Sequence, residues 1–154
     1  LVVLGQMLNG RTGRLYKALV EEQEVATDAS GGQSGMKFEG MFSLRGTAKS
    51  GRTPEEVEQA LYAEIERLKT EPVDEALLGD TKSAMRYLFA RGLNSPGPIA
   101  RTLAHYLQLT GDPETVNRVY ALYDAVTADD IRAVATTYFG ETNRTVVLLR
   151  EEAQ

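Results

Sequence analysis

A chain of 154 residues, 42% apolar and 25% charged, is long enough to bury a core and lies far from disordered or fibrous compositions. Its net charge of −5, with Lys and Arg scattered along the chain, disfavours a nucleic-acid partner. The absence of cysteine removes disulfides, thiolate chemistry and cysteine-ligated zinc, and no apolar run approaches the ~18 residues that span a bilayer.

Leu1, Leu4 and Leu8 share one helical face, and neither an initiator Met nor a capping residue precedes them. The chain is therefore expected to open inside a helix, as a piece of a longer protein. That helix is expected to stop at Asn9-Gly10, a pair that tolerates left-handed backbone. Thr12 is expected to cap a second helix with Leu15 and Leu19 on one face.

Val25, Thr27 and Ala29 then alternate as in a strand. Met36, Phe38, Gly40, Phe42 and Leu44 alternate against Lys37, Glu39, Ser43 and Arg45, a period-2 strand with one buried face. The glycine-rich stretch from Gly31 to Gly35 is expected to turn between them, giving an antiparallel hairpin.

From Thr53 the period becomes helical. Thr53-Pro-Glu-Glu56 is a capping box with proline at the first helical position, and Val57, Ala60, Leu61, Ile65 and Leu68 follow on one face. A helix from about Asp74 to Arg91 carries Leu77, Leu78, Ala84, Met85 and Leu88, and Gly92 closes it. Ser95-Pro96 opens the next, with Ile99, Leu103, Tyr106 and Leu107 expected inward and Gly111 as terminator. Asp112-Pro113 opens a fourth with Val116, Val119, Tyr120 and Tyr123. Thr127 caps a fifth with Ile131, Val134, Ala135 and Tyr138. The continuous apolar run Thr145-Val-Val-Leu-Leu149 has the length of a strand buried on both faces, mid-sheet. Its missing neighbours are expected upstream of Leu1. Strands and helices in separate blocks predict an α+β fold, a mostly antiparallel sheet with helices on one face, formed by residues 1–154 as a single domain.

Two stretches imitate chemistry. Gly46-Thr-Ala-Lys-Ser-Gly51-Arg52-Thr53 has the spacing of a phosphate-binding loop between a strand and a helix. Against nucleotide binding, the helix opens with Pro54, Glu55 and Glu56, and arginine is a poor steric substitute for the phosphate-reaching lysine. His105 is the single histidine. One imidazole cannot hold a catalytic zinc, which takes three protein ligands, so His105 reads as structural. The adjacent acidic pairs point about 100° apart on a helix and form no paired-carboxylate site.

The order of pieces carries more than any of them. Gly13-Arg-Leu-Tyr16, the hairpin from Val25 to Arg45, Thr53-Pro-Glu-Glu-Val-Glu58, Leu68-Lys-x-Glu-Pro-Val73, Ala125-Val-Thr-Ala-Asp-Asp130 and the closing apolar run together resemble the C-terminal domain of pitrilysin/insulinase-type zinc peptidases, the inverzincins. The H-x-x-E-H zinc helix of those enzymes is missing; the nearest frame reads His105-Tyr-Leu-Gln108-Leu109.

The resemblance implies a processing-peptidase-like half that lines a peptide-holding chamber opposite a zinc-bearing domain. It implies no catalytic, metal or cofactor residue in this segment, with zinc in the N-terminal domain of an active parent. Implied partners are that domain or a partner subunit, in a homodimer or heterodimer, and a peptide substrate in the parent. In many members the later domain grips substrate with an Arg and, seven residues on, a Tyr. Those positions fall at Val20 and Thr27 here, and neither side chain suits the role; Arg14 and Tyr16 sit in a structural position. A metal-free partner or scaffold subunit is the alternative, and a nucleotide-binding domain using Gly46–Thr53 a remote one. Bacterial relatives are often exported, so the analogy suggests the periplasm.

Overall fold

The computed structural model describes residues 1–35, 38 and 40–150. Helix α1 (Val2–Leu8) buries Val3, Leu4, Met7 and Leu8 and ends at Asn9. A turn follows in which the Gly13 N–H bonds the Gly10 carbonyl at 3.0 Å. That turn absorbs Thr12, so the next helix, α2 (Arg14–Tyr16), starts at Gly13 with no side-chain cap, one residue later than expected. It runs into a π-helical turn, Lys17–Glu22, in which the Gln23 N–H reaches five residues back to Ala18.

Strands β1 (Ala26–Ser34) and β2 (Met41–Ala48) pair antiparallel, with Ala29 opposite Gly46 and Gly31 opposite Leu44. The glycines expected to turn lie inside β1 instead. A Cβ on Gly31 would stand 2.7 Å from Leu44 and 3.2 Å from Leu8. Glycine is there because its cross-strand neighbour Leu44, and behind it Leu8 of the crossing helix, fill the space a Cβ would take, and no turn requires it. The Asn9 side chain fixes this crossing, accepting from the Gly31 N–H at 2.9 Å and donating to its carbonyl. The strands are joined by residues 35–40, of which Met36, Lys37 and Glu39 lie outside the described residues, and Phe38 is 87% exposed. In β2 the expected alternation holds at Phe42 and Leu44 and continues through Gly46 and Ala48, whereas Phe38 and Gly40, expected on the same buried face, precede the strand and are exposed.

One face of this hairpin carries the helices. Gly31 meets Leu8 of α1 and Leu15 of α2, and its cross-strand neighbours Leu44 and Gly46 share that face. Gly46 meets Val57 and Leu61 of α3 (Pro54–Thr70). The capping box of α3 forms as expected: the Thr53 N–H donates to Glu56 at 2.7 Å, and the Glu56 N–H donates to Thr53 Oγ1 at 3.3 Å. Helix α4 (Glu75–Gly92) starts on the Asp74 carboxylate, which accepts from two backbone amides. Helices α5 (Pro96–Thr110), α6 (Thr115–Ala125) and α7 (Ala128–Tyr138) complete the block, α7 with a second capping box at Thr127 and Asp130. The result is α+β.

Two further expectations fail. None of the α5 residues is buried, and Ile99, Leu103 and Leu107 stay exposed, as do Leu88 and Tyr138. Amphipathic spacing defines a face but not the neighbour that covers it, and α5 packs chiefly on α6. Residues 145–149 form no strand and are exposed, Val147 at 77%. An apolar run specifies burial without choosing a partner, and among the described residues no strand pairs with it. Its flanks are held on α3 instead, Arg144 over the Tyr62 ring at 3.9 Å and Arg150 in an ion pair with Glu55.

Candidate functional site

The corner from Val20 to Thr27 holds the two positions that the family resemblance singles out. The π-helical turn leaves Val20 packed against the core, where an aliphatic side chain offers no donor. Glu24 adopts φ +51, and its carboxylate meets Lys49 Nζ at 2.8 Å. That lysine holds the Glu24 carboxyl below the usual carboxylate range. The Lys49 N–H then donates to the Val25 carbonyl at 3.0 Å, tying the corner to the end of β2.

Thr27 sits on a β-bulge. Ala26 pairs with Ala48 and Asp28 with Thr47, so Thr27 is the extra residue. A bulge re-aims its side chain, and Thr27 is exposed. Its hydroxyl nevertheless donates, at 3.4 Å, to the Thr47 carbonyl across the hairpin. A short side chain spent on its own sheet has no reach toward a ligand. The expected alternation of Val25, Thr27 and Ala29 therefore breaks at Thr27, and no residue type marked the bulge in the sequence.

Arg14 has structural work. Its Nε donates to Glu64 at 2.8 Å, and its terminal nitrogen lies 3.4 Å from Glu71. Arg67 bridges the same acids, at 2.7 Å to Glu64 and 2.9 Å to Glu71. Glu64 is 1% exposed, so two guanidinium groups balance one buried carboxylate. Arg67, with Arg14 behind it, keeps the Glu71 carboxyl below its ordinary range. The network fastens α2 to α3. Tyr16 lies beneath Arg11, whose guanidinium is 6.0 Å from the ring centre.

The phosphate-loop imitation is committed internally. Gly46 belongs to β2 and packs under Val57. Lys49 pairs with Glu24 and Arg52 with Glu56, while the first amides of α3 are capped by Thr53 and Glu56. Those are the groups a phosphate would need. His105 is exposed on α5, its ring 5.5 Å from Tyr106. Among the described residues no cluster of three His, Cys, Asp or Glu could hold a metal. The zinc frame does not fit here, because Gln108 and Leu109 replace a base and a ligand.

An open groove of about 510 Å³ runs beside this corner, lined by Val25, Ala60 and Ala63 with Gln23, Glu55, Glu56 and Gln59. Its acids are engaged by Arg150 and Arg52. What the arrangement offers is shape and contact surface.

The family model described as the peptidase M16 inactive domain matches residues 1–85. Comparison with curated proteins finds no match. Among solved structures the chain is similar to the inactive peptidase domain of a candidate zinc protease from Bordetella parapertussis, with TM-score 0.84 and 21% identity over 99% of this chain and 82% of that one. It is similar to a protease from Helicobacter pylori, TM-score 0.83 and 21% identity over 92% of this chain, and it spans only 35% of that protein's length. The periplasmic protease PqqL from Escherichia coli gives TM-score 0.62 and 16% identity, over 86% of this chain and 14% of that chain. At such identities the likeness speaks to fold.

Proposed function

Because the chain belongs to the family of M16 peptidase inactive domains, we propose that it is the non-catalytic C-terminal half of a zinc-dependent peptidase and walls the chamber opposite the zinc-bearing half. Residues 1–154 would make up most of that half, as one domain without catalytic, metal or cofactor residues. The observation that carries this reading is the corner at Val20 and Thr27, where an aliphatic side chain faces the core and a hydroxyl is tied to the sheet. The companion would be the zinc-bearing domain or a partner subunit, and the chamber's contents an unfolded peptide. Similarity to a periplasmic protease supports a periplasmic setting.

The same corner favours a second reading, a metal-free partner subunit whose parent performs no cleavage. Zinc content and peptide hydrolysis separate the two. The isolated chain is expected to contain no stoichiometric zinc and to cut no peptide, while mixing with a separately produced companion half restores chelator-sensitive hydrolysis. Restoration supports the first reading; a metal-free, inert mixture supports the second. One tightly bound zinc in the isolated chain, or hydrolysis by it alone, overturns both.

A further inference from the structure

Of the four asparagines, Asn9 alone precedes a glycine; Asn94 is followed by Ser95, Asn117 by Arg118 and Asn143 by Arg144. Glycine lacks the Cβ that would screen its backbone nitrogen and restrict its dihedrals. Gly10 is exposed, with φ +77 and open space where a Cβ would stand. A backbone nitrogen placed in this way can reach the side-chain amide carbon of the asparagine before it. In the fold that amide is clasped elsewhere. The half-buried Asn9 side chain accepts from the Gly31 N–H at 2.9 Å and donates to the Gly31 carbonyl, so both of its polar ends are spent on β1. Its backbone is extended at ψ 160, and the returning turn lies against it: a Cβ on Gly13 would stand 2.1 Å from the Asn9 carbonyl oxygen.

We infer that Asn9-Gly10 is a self-modification site, converted to aspartate or isoaspartate when α1 opens locally from β1, and that the conversion irreversibly undoes the Asn9–Gly31 clasp. The Gly10 nitrogen loses its proton to solvent base and bonds to Asn9 Cγ, while the Cγ–Nδ2 bond breaks and ammonia leaves. Water then opens the cyclic imide at either carbonyl. Water is consumed and ammonia released, and nothing is oxidised or reduced. Ring closure requires the amide to leave Gly31 and the Asn9 ψ to turn, a motion that the packing of Gly13 opposes. The intact fold therefore protects the site, and local opening admits the reaction. The product cannot restore the contact. A carboxylate has no N–H for the Gly31 carbonyl and sets a negative oxygen against it. The isoaspartyl form also adds a carbon to the main chain where α1 ends. None of this rests on the chamber reading.

The test incubates the whole chain in mildly alkaline buffer, folded and in concentrated urea. Digests are followed by mass spectrometry for the NH2-to-OH exchange, with isoaspartate resolved by chromatography. In urea, Asn9 is expected to convert faster than Asn94, Asn117 and Asn143. In the folded chain its conversion is expected to be slower by roughly tenfold or more. Val3→Ala trims a 3% exposed contact of α1 without altering the sequence around Asn9, and is expected to return part of the urea rate. A Val3→Ala chain that unfolds outright is expected to convert at the full urea rate, which supports the gate equally. Conversion takes the net charge from −5 to −6, so ion exchange separates the product. The product and Asn9→Asp are both expected to melt about 3–8 °C below the parent. Equal rates folded and in urea, a Val3→Ala rate no higher than the parent's, or a product that melts with the parent overturns the inference.

Discussion

Glu64 occupies a slot in α3 that the helical spacing of Val57, Leu61 and Leu68 reserves for an apolar side chain. It is tolerated there because Arg14 and Arg67 both donate to it, at 2.8 and 2.7 Å. Replacing it by glutamine keeps the volume and leaves the two guanidinium groups only the half-exposed Glu71 carboxylate between them. Glu64→Gln is expected to cost about 3 kcal/mol in urea unfolding, the low end for breaking a buried pair, since Arg67 stays half open to water. A loss below about 1 kcal/mol would show that the ions are solvated in the fold. Glu24 presents the opposite case. At φ +51 an L side chain crowds its own carbonyl, and an exposed pair with Lys49 compensates weakly. Glu24→Gly is expected to raise the melting temperature by roughly 2–4 °C despite losing that pair; an unchanged or lower value would mean that the ion pair outweighs the backbone strain. The apolar slot holding Glu64 was visible in the sequence, but its partner Arg14 lies fifty residues away. The left-handed turn at Glu24 was not visible, because no glycine marks it.

At the level of elements, capping boxes were the most legible features, since their chemistry is local. Thr53 with Glu56 formed where the spacing put it, and the expected cap at Thr127 is completed to a box by Asp130. Backbone amides of the caps hold the Glu56 and Asp130 carboxyls below their ordinary values of 4.5 and 3.8. Each carboxyl is depressed in the folded chain, so its contribution is complete above the ordinary value and vanishes as pH falls through the lowered one. Melting temperature is therefore expected to hold from pH 8 to 6 and to decline below about pH 4.5, with part of that decline missing in Glu56→Gln. A Glu56→Gln variant with the full acid dependence would assign the loss to other carboxylates. Glycines were read less well, because sequence does not distinguish a turn from a close approach. Gly31 makes room for Leu44 and Leu8, and Gly46 for Val57 of α3. A Cβ on Gly46 would stand 2.4 Å from Val57 Cγ1, a β-branched atom with little freedom to retreat. Gly46→Ala is expected to cost about 1–3 kcal/mol by overpacking, measured by thermal or urea unfolding. A neutral result would mean that α3 can lift from β2 without penalty.

For the whole molecule, what sequence cannot supply is the identity of distant neighbours. The segregation of strands from helices gave the α+β class, because it depends only on chain order. The helix faces of α5 and the run at Val146–Leu149 were correctly apolar, yet their covering depends on surfaces that no local pattern encodes. The consequence for behaviour in solution is concrete. Residues 146–149 present exposed apolar side chains in a strand-length segment with no pairing strand among the described residues. Such a segment templates pairing with a second chain, and a net charge of only −5 opposes that association weakly. Val147 is a suitable place to interfere, being 77% exposed and inside the run. Val147→Glu takes the net charge from −5 to −6 and sets a carboxylate into the centre of the run. Light scattering during concentration and heating is expected to fall, with unfolding stability unchanged within about 0.5 kcal/mol, as for surface substitutions. A marked drop in stability would instead show that Val147 is buried in solution, and undiminished scattering would move the sticky surface to α5.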